Sequence, residues 1–240
     1  MMQSIYIGDN FSIPLLDLIA FAWFATAWAG YAIMARREET KRDNLNALML
    51  DYRLAWMRQM MKRDSRITDM TAIANLVRSI SFFASTSIIL QIGFFTMLGY
   101  RDQAATIIQS IPFAMHSTPF MWEFKIFLLM VIFIYAFFKF TWSLRQYNYA
   151  TIYVSAAPGP HEGIEHHEEY AKRGARLLTN AAMHFNLGMR AYYYGLAVFA
   201  WFLHAGLFIL VTAYIIWELY RREFFSHTYT ILSGKEVVQS

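Results

Sequence analysis

The stretch Ala181–Trp217, AAMHFNLGMRAYYYGLAVFAWFLHAGLFILVTAYIIW, decides the fold class of this chain. It begins with apolar residues at helical spacing and passes through Arg190 and three consecutive tyrosines. From Gly195 it continues as an apolar run without charge, and roughly 20 such residues are enough to cross a hydrocarbon core of about 30 Å. The stretch therefore predicts an amphipathic helix that leads directly into a membrane span.

The rest of the chain contains three more segments of this kind. The composition is 57% hydrophobic and only 16% charged, which is too apolar for an ordinary soluble domain. Four segments of spanning length carry little or no charge: about residues 13–35, 79–100, 124–144 and 195–219. The sequence predicts an all-α integral membrane protein, a single domain in which four spans form a helical bundle.

Basic residues are concentrated in alternate loops. Of the 21 Lys and Arg, ten lie from Arg36 to Arg78 and five lie from Arg145 to Arg190. Because positively charged loops stay on the cytoplasmic side, both long loops should be cytoplasmic and both termini outside. We expect a multi-pass protein of the inner (cytoplasmic) membrane whose cationic side contacts anionic lipids. The charge excess thus reflects topology and does not indicate a nucleic-acid partner.

Each cytoplasmic loop is predicted to contain an amphipathic helix, at about residues 42–70 and 165–192. In the first of them, apolar residues recur at i, i+3, i+4 and i+7 from Leu45 to Met60, with charges largely on the other face. Such a helix can lie on the inner leaflet or pack in the cytoplasm, and periodicity leaves both arrangements open.

The order of span, amphipathic helix and span occurs twice, which predicts two related halves. The pair Asn75–Leu76 recurs as Asn186–Leu187 ahead of the second and fourth spans. In a parallel duplication, Gln91 and His204 then occupy corresponding midplane positions, where they could share a hydrogen bond or line a polar path. Chance similarity between two membrane hairpins is the alternative.

A second candidate site lies at the cytoplasmic membrane boundary. Arg53, Arg78, Lys139, Arg190 and Tyr193 are expected to gather there. They could form a pocket for an anionic ligand or a lipid headgroup, or they could simply anchor the protein to lipid phosphates. Lys139 is close enough to the third span's end for its ammonium group to reach the interface.

A third candidate follows the break at Pro158–Pro160. His161, Glu165, His166 and Glu169 include i, i+4 pairs of ligand types that suit zinc, manganese or iron. However, the segment contains neither H-E-x-x-H nor the Glu-x-x-His motif of diiron proteins. Acidic residues are also favoured at a helix N-terminus, so a purely structural role is the alternative to metal binding.

Catalytic chemistry has little support in this sequence. The absence of cysteine excludes thiolate metal sites and cysteine nucleophiles, and no serine–histidine–acid set or phosphate-binding glycine loop is present. Asp17, in the first turn of the first span, complements the helix dipole. His204 is the one histidine within a span, and haem would need a second axial ligand such as a methionine. We predict no enzyme activity and no cofactor, with haem or a metal ion as alternatives.

Several stretches closely resemble the domain of unknown function 599 family of bacterial membrane proteins. They are NLNALMLDYRLAWMRQMMKRDSRITD, FFASTSI, YAFFKFTWSLRQYNY and FNLGMRAYYYGLA. The resemblance runs from the first span to about Trp217 and implies a four-span membrane protein, without implying an activity or catalytic residues.

These observations favour a structural or accessory membrane protein, either a homo-oligomer or a subunit of a larger membrane complex. The abundance of small and aromatic residues in the spans suits helix–helix association. The alternative is a small transporter or channel in which Gln91 and His204 line a midplane path and the basic cluster recruits anions or lipid headgroups.

Overall fold

The computed structural model describes residues 4–6, 12–38, 45–100, 103, 106, 118–160, 167–224, 227–232 and 234. Within these residues the regular secondary structure is helical, except for one short antiparallel ribbon at the start. Strand β1 (Ser4–Tyr6) pairs with β2 (Ser12–Pro14), with Ile5 opposite Ile13. The predicted all-helical class is confirmed, and the ribbon is a small addition to it.

The described part of the chain forms seven helices. They are α1 (Leu15–Glu38), α2 (Leu45–Met60), α3 (Ile67–Gly99), α4 (Pro119–Ser155), α5 (His167–Leu203), α6 (Ala205–Phe224) and α7 (His227–Leu232). By length and composition, three of these described helices can cross a membrane: Leu15–Ala35 of α1, all of α3 and all of α4. Three apolar helices of this length indicate a membrane protein.

Helices α3 and α4 extend well beyond their predicted spans. Helix α3 begins at Ile67 rather than near residue 79, and α4 ends at Ser155 rather than near residue 144. At 1.5 Å per residue they are about 50 and 55 Å long, compared with a hydrocarbon core of about 30 Å. Each helix therefore continues past the bilayer core with a more polar end.

The predicted amphipathic segments differ from the observed helices. The first, expected at 42–70, is a separate helix only over Leu45–Met60, and the chain then turns before α3 begins. The second, expected at 165–192, has no boundary with the following span, because α5 runs unbroken from His167 to Leu203. The two halves thus have different helix patterns, and the structure does not reproduce the simple repeat.

The predicted fourth span, at about 195–219, is divided between two helices. Helix α5 ends at Leu203, His204 is not helical, and α6 begins at Ala205. Gln91 lies inside the uninterrupted α3, whereas His204 lies at this break, so the two residues do not occupy equivalent places. Polar contacts on both sides of His204 account for the interruption and are described with the candidate site.

The end of the chain lies against α2. The Tyr52 hydroxyl donates to the Leu232 carbonyl over 3.0 Å, and the Asn46 amide donates to the Glu223 carboxylate over 3.5 Å. The sequence predicted a cytoplasmic helix at α2 and an external C-terminus, and the membrane side of each stays a prediction. The contacts show that the end of the chain and α2 lie together.

The chain divides into two compact units. The first comprises Met1–Arg36, Ser87–Ala136 and Met189–Tyr220, and the second comprises Arg37–Thr86, Phe137–Gly188 and Arg221–Ser240. Helices α3, α4 and α5 therefore contribute one end to each unit.

Aromatic rings fill the first unit. Tyr194 stacks on Trp28 with 4.7 Å between ring centroids, and Phe24 lies 5.9 Å from Tyr194 and 5.1 Å from Phe208. Near the start of α1, the Phe21 ring lies 6.3 Å from Trp201 of α5. Further along α1, Trp28 contacts Tyr194, which comes earlier in α5. Helices α1 and α5 therefore run antiparallel in this unit.

Close helix packing dominates the second unit. A methyl group at Gly188 of α5 would lie 2.5 Å from the Phe140 ring of α4, so only glycine allows this approach. The Ser143 hydroxyl donates to the Ala181 carbonyl over 2.7 Å, which also requires adjacent backbones. Further along, Tyr153 and Tyr170 stack at 4.1 Å, and each hydroxyl donates to the other residue's carbonyl. The ends of α4 and α5 are thereby fixed together.

Candidate functional site

A buried polar cluster in the first unit joins α1, α4 and α5. The Lys125 ammonium group donates to the Trp201 carbonyl over 3.0 Å and lies 3.8 Å from the Asp17 carboxylate. The Trp201 indole N–H donates to the same Asp17 oxygen over 2.5 Å. Lys125 is only 3% exposed, and its charge also lies 5.2 Å from the centre of the Trp201 ring. A charge withdrawn from water to this extent requires such partners.

The cluster stands at the break between α5 and α6. Carbonyl groups in the last turn of a helix lack intrahelical partners and carry the negative end of its dipole. Lys125 provides a cation for one of them, the Trp201 carbonyl. On the other side of the break, the Gly206 N–H donates to Nδ1 of His204 over 2.9 Å. His204 therefore caps the start of α6, and it does so with an unprotonated Nδ1.

Gln91 and His204 have separate partners. The Gln91 amide donates to the Met130 carbonyl of α4 over 2.9 Å, while its buried Oε1 has no partner among the described residues. The hydrogen bonds that the structure gives for Gln91 and His204 do not join the two residues. The midplane path that the sequence suggested stays a prediction.

The predicted basic cluster is divided between the two units. Arg53, Arg78 and Lys139 belong to the second unit, and Arg190 and Tyr193 belong to the first. Arg78 is exposed, whereas Lys139 and Tyr193 are half-buried. An anion or headgroup pocket formed by all five residues stays a prediction.

Two of these arginines have contacts within their own units. The Arg53 guanidinium donates to the Thr179 hydroxyl over 3.3 Å, and burial lowers the pKa of Arg53 although nearby Tyr147 acts in the opposite direction. The Arg190 guanidinium lies 5.5 Å from the centre of the Tyr31 ring, a cation–π distance. Both side chains therefore connect α5 to another helix. Arg53 reaches α5 from α2, and Arg190 of α5 reaches α1.

Of the acidic-histidine candidates, only Glu169 can be described. His161, Glu165 and His166 lie outside the described residues. Glu169 is in the first turn of α5 and pairs with Arg173 one turn later. Elsewhere in the described part, no three histidine, aspartate or glutamate residues lie close enough together to hold a metal ion.

The second unit contains a polar junction between α2 and α3 that the sequence did not reveal. Asp69 is 1% exposed, and one of its oxygens accepts bonds from the Trp56 indole N–H and from Arg63, each over 2.7 Å. The Trp56 indole thus bonds a buried carboxylate at the start of α3.

Arg66 closes the end of α4 in the same unit. It donates to the carbonyls of Ala157 and Pro158, each over 2.6 Å, beyond the last turn of α4. Next to it, a cleft of about 940 Å³ opens between α3 and the end of α4. Its walls include Met70, Val77 and Asn148. Residues of this type could accommodate an apolar or weakly polar group.

An exposed ion pair joins α2 to α5 in the second unit. The Arg58 guanidinium donates to both oxygens of Glu168, over 2.8 and 2.5 Å. The Arg58 hydrogen bonds, with smaller help from Lys172, lower the pKa of Glu168 to about 2. Glu168 therefore remains charged at any physiological pH, as the pair requires.

Comparison with known proteins gives a family and no activity. The model of the family described as "Protein of unknown function, DUF599" matches residues 19–228. The chain belongs to this family. The match includes Lys125, Trp201 and His204 but begins just after Asp17. No curated protein and no solved structure matches the chain. Membership of the DUF599 family therefore leaves function to be argued from the geometry.

Proposed function

We propose that this protein is a structural or accessory component of the bacterial inner membrane that works within an oligomer or a larger membrane complex. The observation that carries the proposal is that polar side chains in the first unit form bonds between helices. Lys125, Asp17 and Gln91 each bond a group on another helix. In a membrane, such bonds hold helices together and specify their arrangement. These side chains act as connections within a helical scaffold.

The outward faces of the helices support the same proposal. Large apolar side chains project outward on three helices: Ile89, Ile92 and Phe95 of α3, Phe127, Ile134 and Phe138 of α4, and Leu210, Tyr214 and Trp217 of α6. Exposed apolar area on this scale must be covered by lipid or by protein. A scaffold with several such faces can associate with lipid on one side and with protein subunits on another.

We further propose five membrane crossings, with the N-terminus outside and the C-terminus in the cytoplasm. Helix α6 has 20 residues and is therefore about 30 Å long, the thickness of a hydrocarbon core. It starts beside Trp201, since the Phe208 and Trp201 rings stack at 4.6 Å, and its last residues contact α2. In this topology α5 and α6 form a hairpin whose turn, at His204, lies on the outer side.

The arginines agree with this topology. Arg36 in α1, Arg78 in α3, Arg145 in α4 and Arg221 in α6 all fall at the end of a crossing that this arrangement assigns to the cytoplasm. Each of the last three is exposed. Arginine at this depth contacts the phosphates of anionic lipids and obeys the positive-inside rule. The basic residues near the C-terminus fit better inside than outside.

Native mass spectrometry of the gently solubilised protein tests the scaffold proposal. We expect one defined multiple of the chain mass, or a fixed ratio to a second membrane protein, and no haem absorption. We expect a bulky substitution, Leu210→Trp on α6 or Phe127→Trp on α4, to shift the mass distribution toward monomer only if that helix face contacts another subunit. A wild-type preparation that is entirely monomeric in several mild detergents would contradict the proposal.

A further inference from the structure

Two hydroxyl groups are fully buried in the first unit without a hydrogen-bond partner. Tyr194 of α5 is 1% exposed and Thr212 of α6 is 0% exposed. Neither the Tyr194 hydroxyl nor the Thr212 hydroxyl has a partner within the part of the chain that the structure describes. In the apolar interior of a membrane protein, an unsatisfied hydroxyl costs several kcal/mol. Two such groups on adjacent helices therefore call for a common explanation.

Thr212 differs from other threonines in the apolar helices. Threonine hydroxyls in helices commonly donate to the carbonyl group one turn earlier. This bond is made by Thr26, Thr86, Thr96 and Thr141, over 2.8 to 3.0 Å. Thr212 makes no such bond in the described structure and is the most deeply buried of the five. Its hydroxyl is thus available to a partner other than its own helix.

The two hydroxyls lie at similar depths along the α5–α6 pair. The Trp201 and Phe208 rings stack with 4.6 Å between their centroids, so the two rings lie at about the same depth. Tyr194 is two helical turns from Trp201, and Thr212 is one turn from Phe208, so the two positions differ in depth by about one turn, or ~5 Å. Phe24 of α1 contacts both Tyr194 and Phe208 and closes the same region.

We propose that a bound water molecule bridges the Tyr194 and Thr212 hydroxyls inside the membrane core. A water molecule both donates and accepts, so it can satisfy a phenol and an aliphatic hydroxyl that do not bond each other. Buried waters commonly pair polar groups that otherwise have no partner. The site takes a small neutral molecule that can both donate and accept hydrogen bonds. It links α5 to α6 independently of the scaffold proposal.

A double-substitution cycle tests the shared water. Tyr194→Phe and Thr212→Val each remove one hydroxyl while nearly preserving side-chain shape. Because either change leaves the water with too few partners, each should lower the melting temperature by roughly 2–4 °C, and the double variant should fall little further. Thr26→Val, at an exposed threonine, and Tyr214→Phe, at an exposed tyrosine, should leave the melting temperature nearly unchanged.

Two results of the substitution cycle would contradict the shared water. If the hydroxyls are simply unpaired, replacing them with apolar groups should raise the melting temperature or leave it unchanged. If each hydroxyl has its own separate partner, the two losses should add. Hydroxyl-radical labelling of the wild-type protein gives a second measurement that does not depend on variants. Labelling at Tyr194 above that of the buried Tyr147 supports the site, and equal protection of both overturns it.

Discussion

Lys125 shows how one side chain can hold three helices together. The sequence suggests that Asp17 complements a helix dipole, and it gives no particular role to Lys125. The structure brings them together around Trp201, a contact between residues far apart in sequence. Local patterns contain no information about such a pairing. Opposite charges at the outer ends of the first and third spans were the only available signal.

The Asp17–Lys125 pair should therefore show strong coupling in stability measurements. Asp17→Asn leaves the Lys125 charge buried with less compensation, and we expect it to lower the free energy of unfolding by about 3 kcal/mol. Lys125→Met removes the charge and leaves the Trp201 carbonyl without its cation. The double variant should be more stable than the sum of the two losses implies. Denaturant titration in detergent micelles measures all three variants.

Arg78→Met provides the control for this experiment. Arg78 is exposed, so its replacement should change the free energy of unfolding by no more than about 0.5 kcal/mol. Additive effects of the Asp17 and Lys125 substitutions would show that the two charges do not interact, against the observed geometry.

At the level of elements, small residues on α5 determine how closely it approaches α4. Gly174, Ala181, Gly188 and Gly195 recur at every seventh position. The Gly188 backbone faces Phe140, and in the first unit the Gly195 backbone faces Phe133. This repeat was present in the sequence, and recognising it would have predicted the close packing along α5.

Glycine substitutions test this packing directly. A methyl group at Gly188 or Gly195 would lie 2.5 or 2.7 Å from a buried phenylalanine ring. We expect Gly188→Ala and Gly195→Ala to lower the free energy of unfolding by about 1–3 kcal/mol through overpacking. At Gly93 of α3 a methyl group would meet no atom of the described residues within 4 Å. Gly93→Ala should raise the free energy of unfolding by roughly 0.5–1 kcal/mol, because alanine favours a helix more than glycine does.

The outcome at Gly93 determines how the others are interpreted. If all three substitutions stabilise the protein, the proximity of α4 and α5 is wrong. If all three destabilise it, Gly93 must also face another helix, which would identify α3 as a contact surface in an assembly.

The helices could be predicted from the sequence, but several of their ends could not. Long apolar runs and periodicity were sufficient to identify α1, α2, α3 and α4. The break at His204 carries no proline and depends on Lys125 and on the capping imidazole, both of which are tertiary or side-chain effects. The continuation of α4 to Ser155 depends on packing against α5. The mildly polar residues after Arg145 give no sign of this packing in the sequence.

At the level of the whole molecule, the division of the last apolar run underlies the five-crossing topology that we propose. Four crossings would return the chain to the outside, where the sequence analysis placed the C-terminus. Division at His204 makes α5 and α6 two arms of a hairpin, so that α6 ends beside α2. The distribution of Lys and Arg fits the proposed five crossings better than four, because Arg221 and Arg222 then lie on the cytoplasmic side.

The central claim is that the C-terminus shares the cytoplasmic side with α2, and cysteine labelling tests it most directly. The natural chain contains no cysteine, so single cysteines report their own positions without a background. Ser65→Cys follows α2, Thr228→Cys lies in α7, and Gln103→Cys follows α3; all three positions are exposed. A membrane-impermeant maleimide added to intact spheroplasts should label position 103 alone, and positions 65 and 228 should react only after permeabilisation. Labelling of 228 together with 103 in intact spheroplasts would contradict the five-crossing topology.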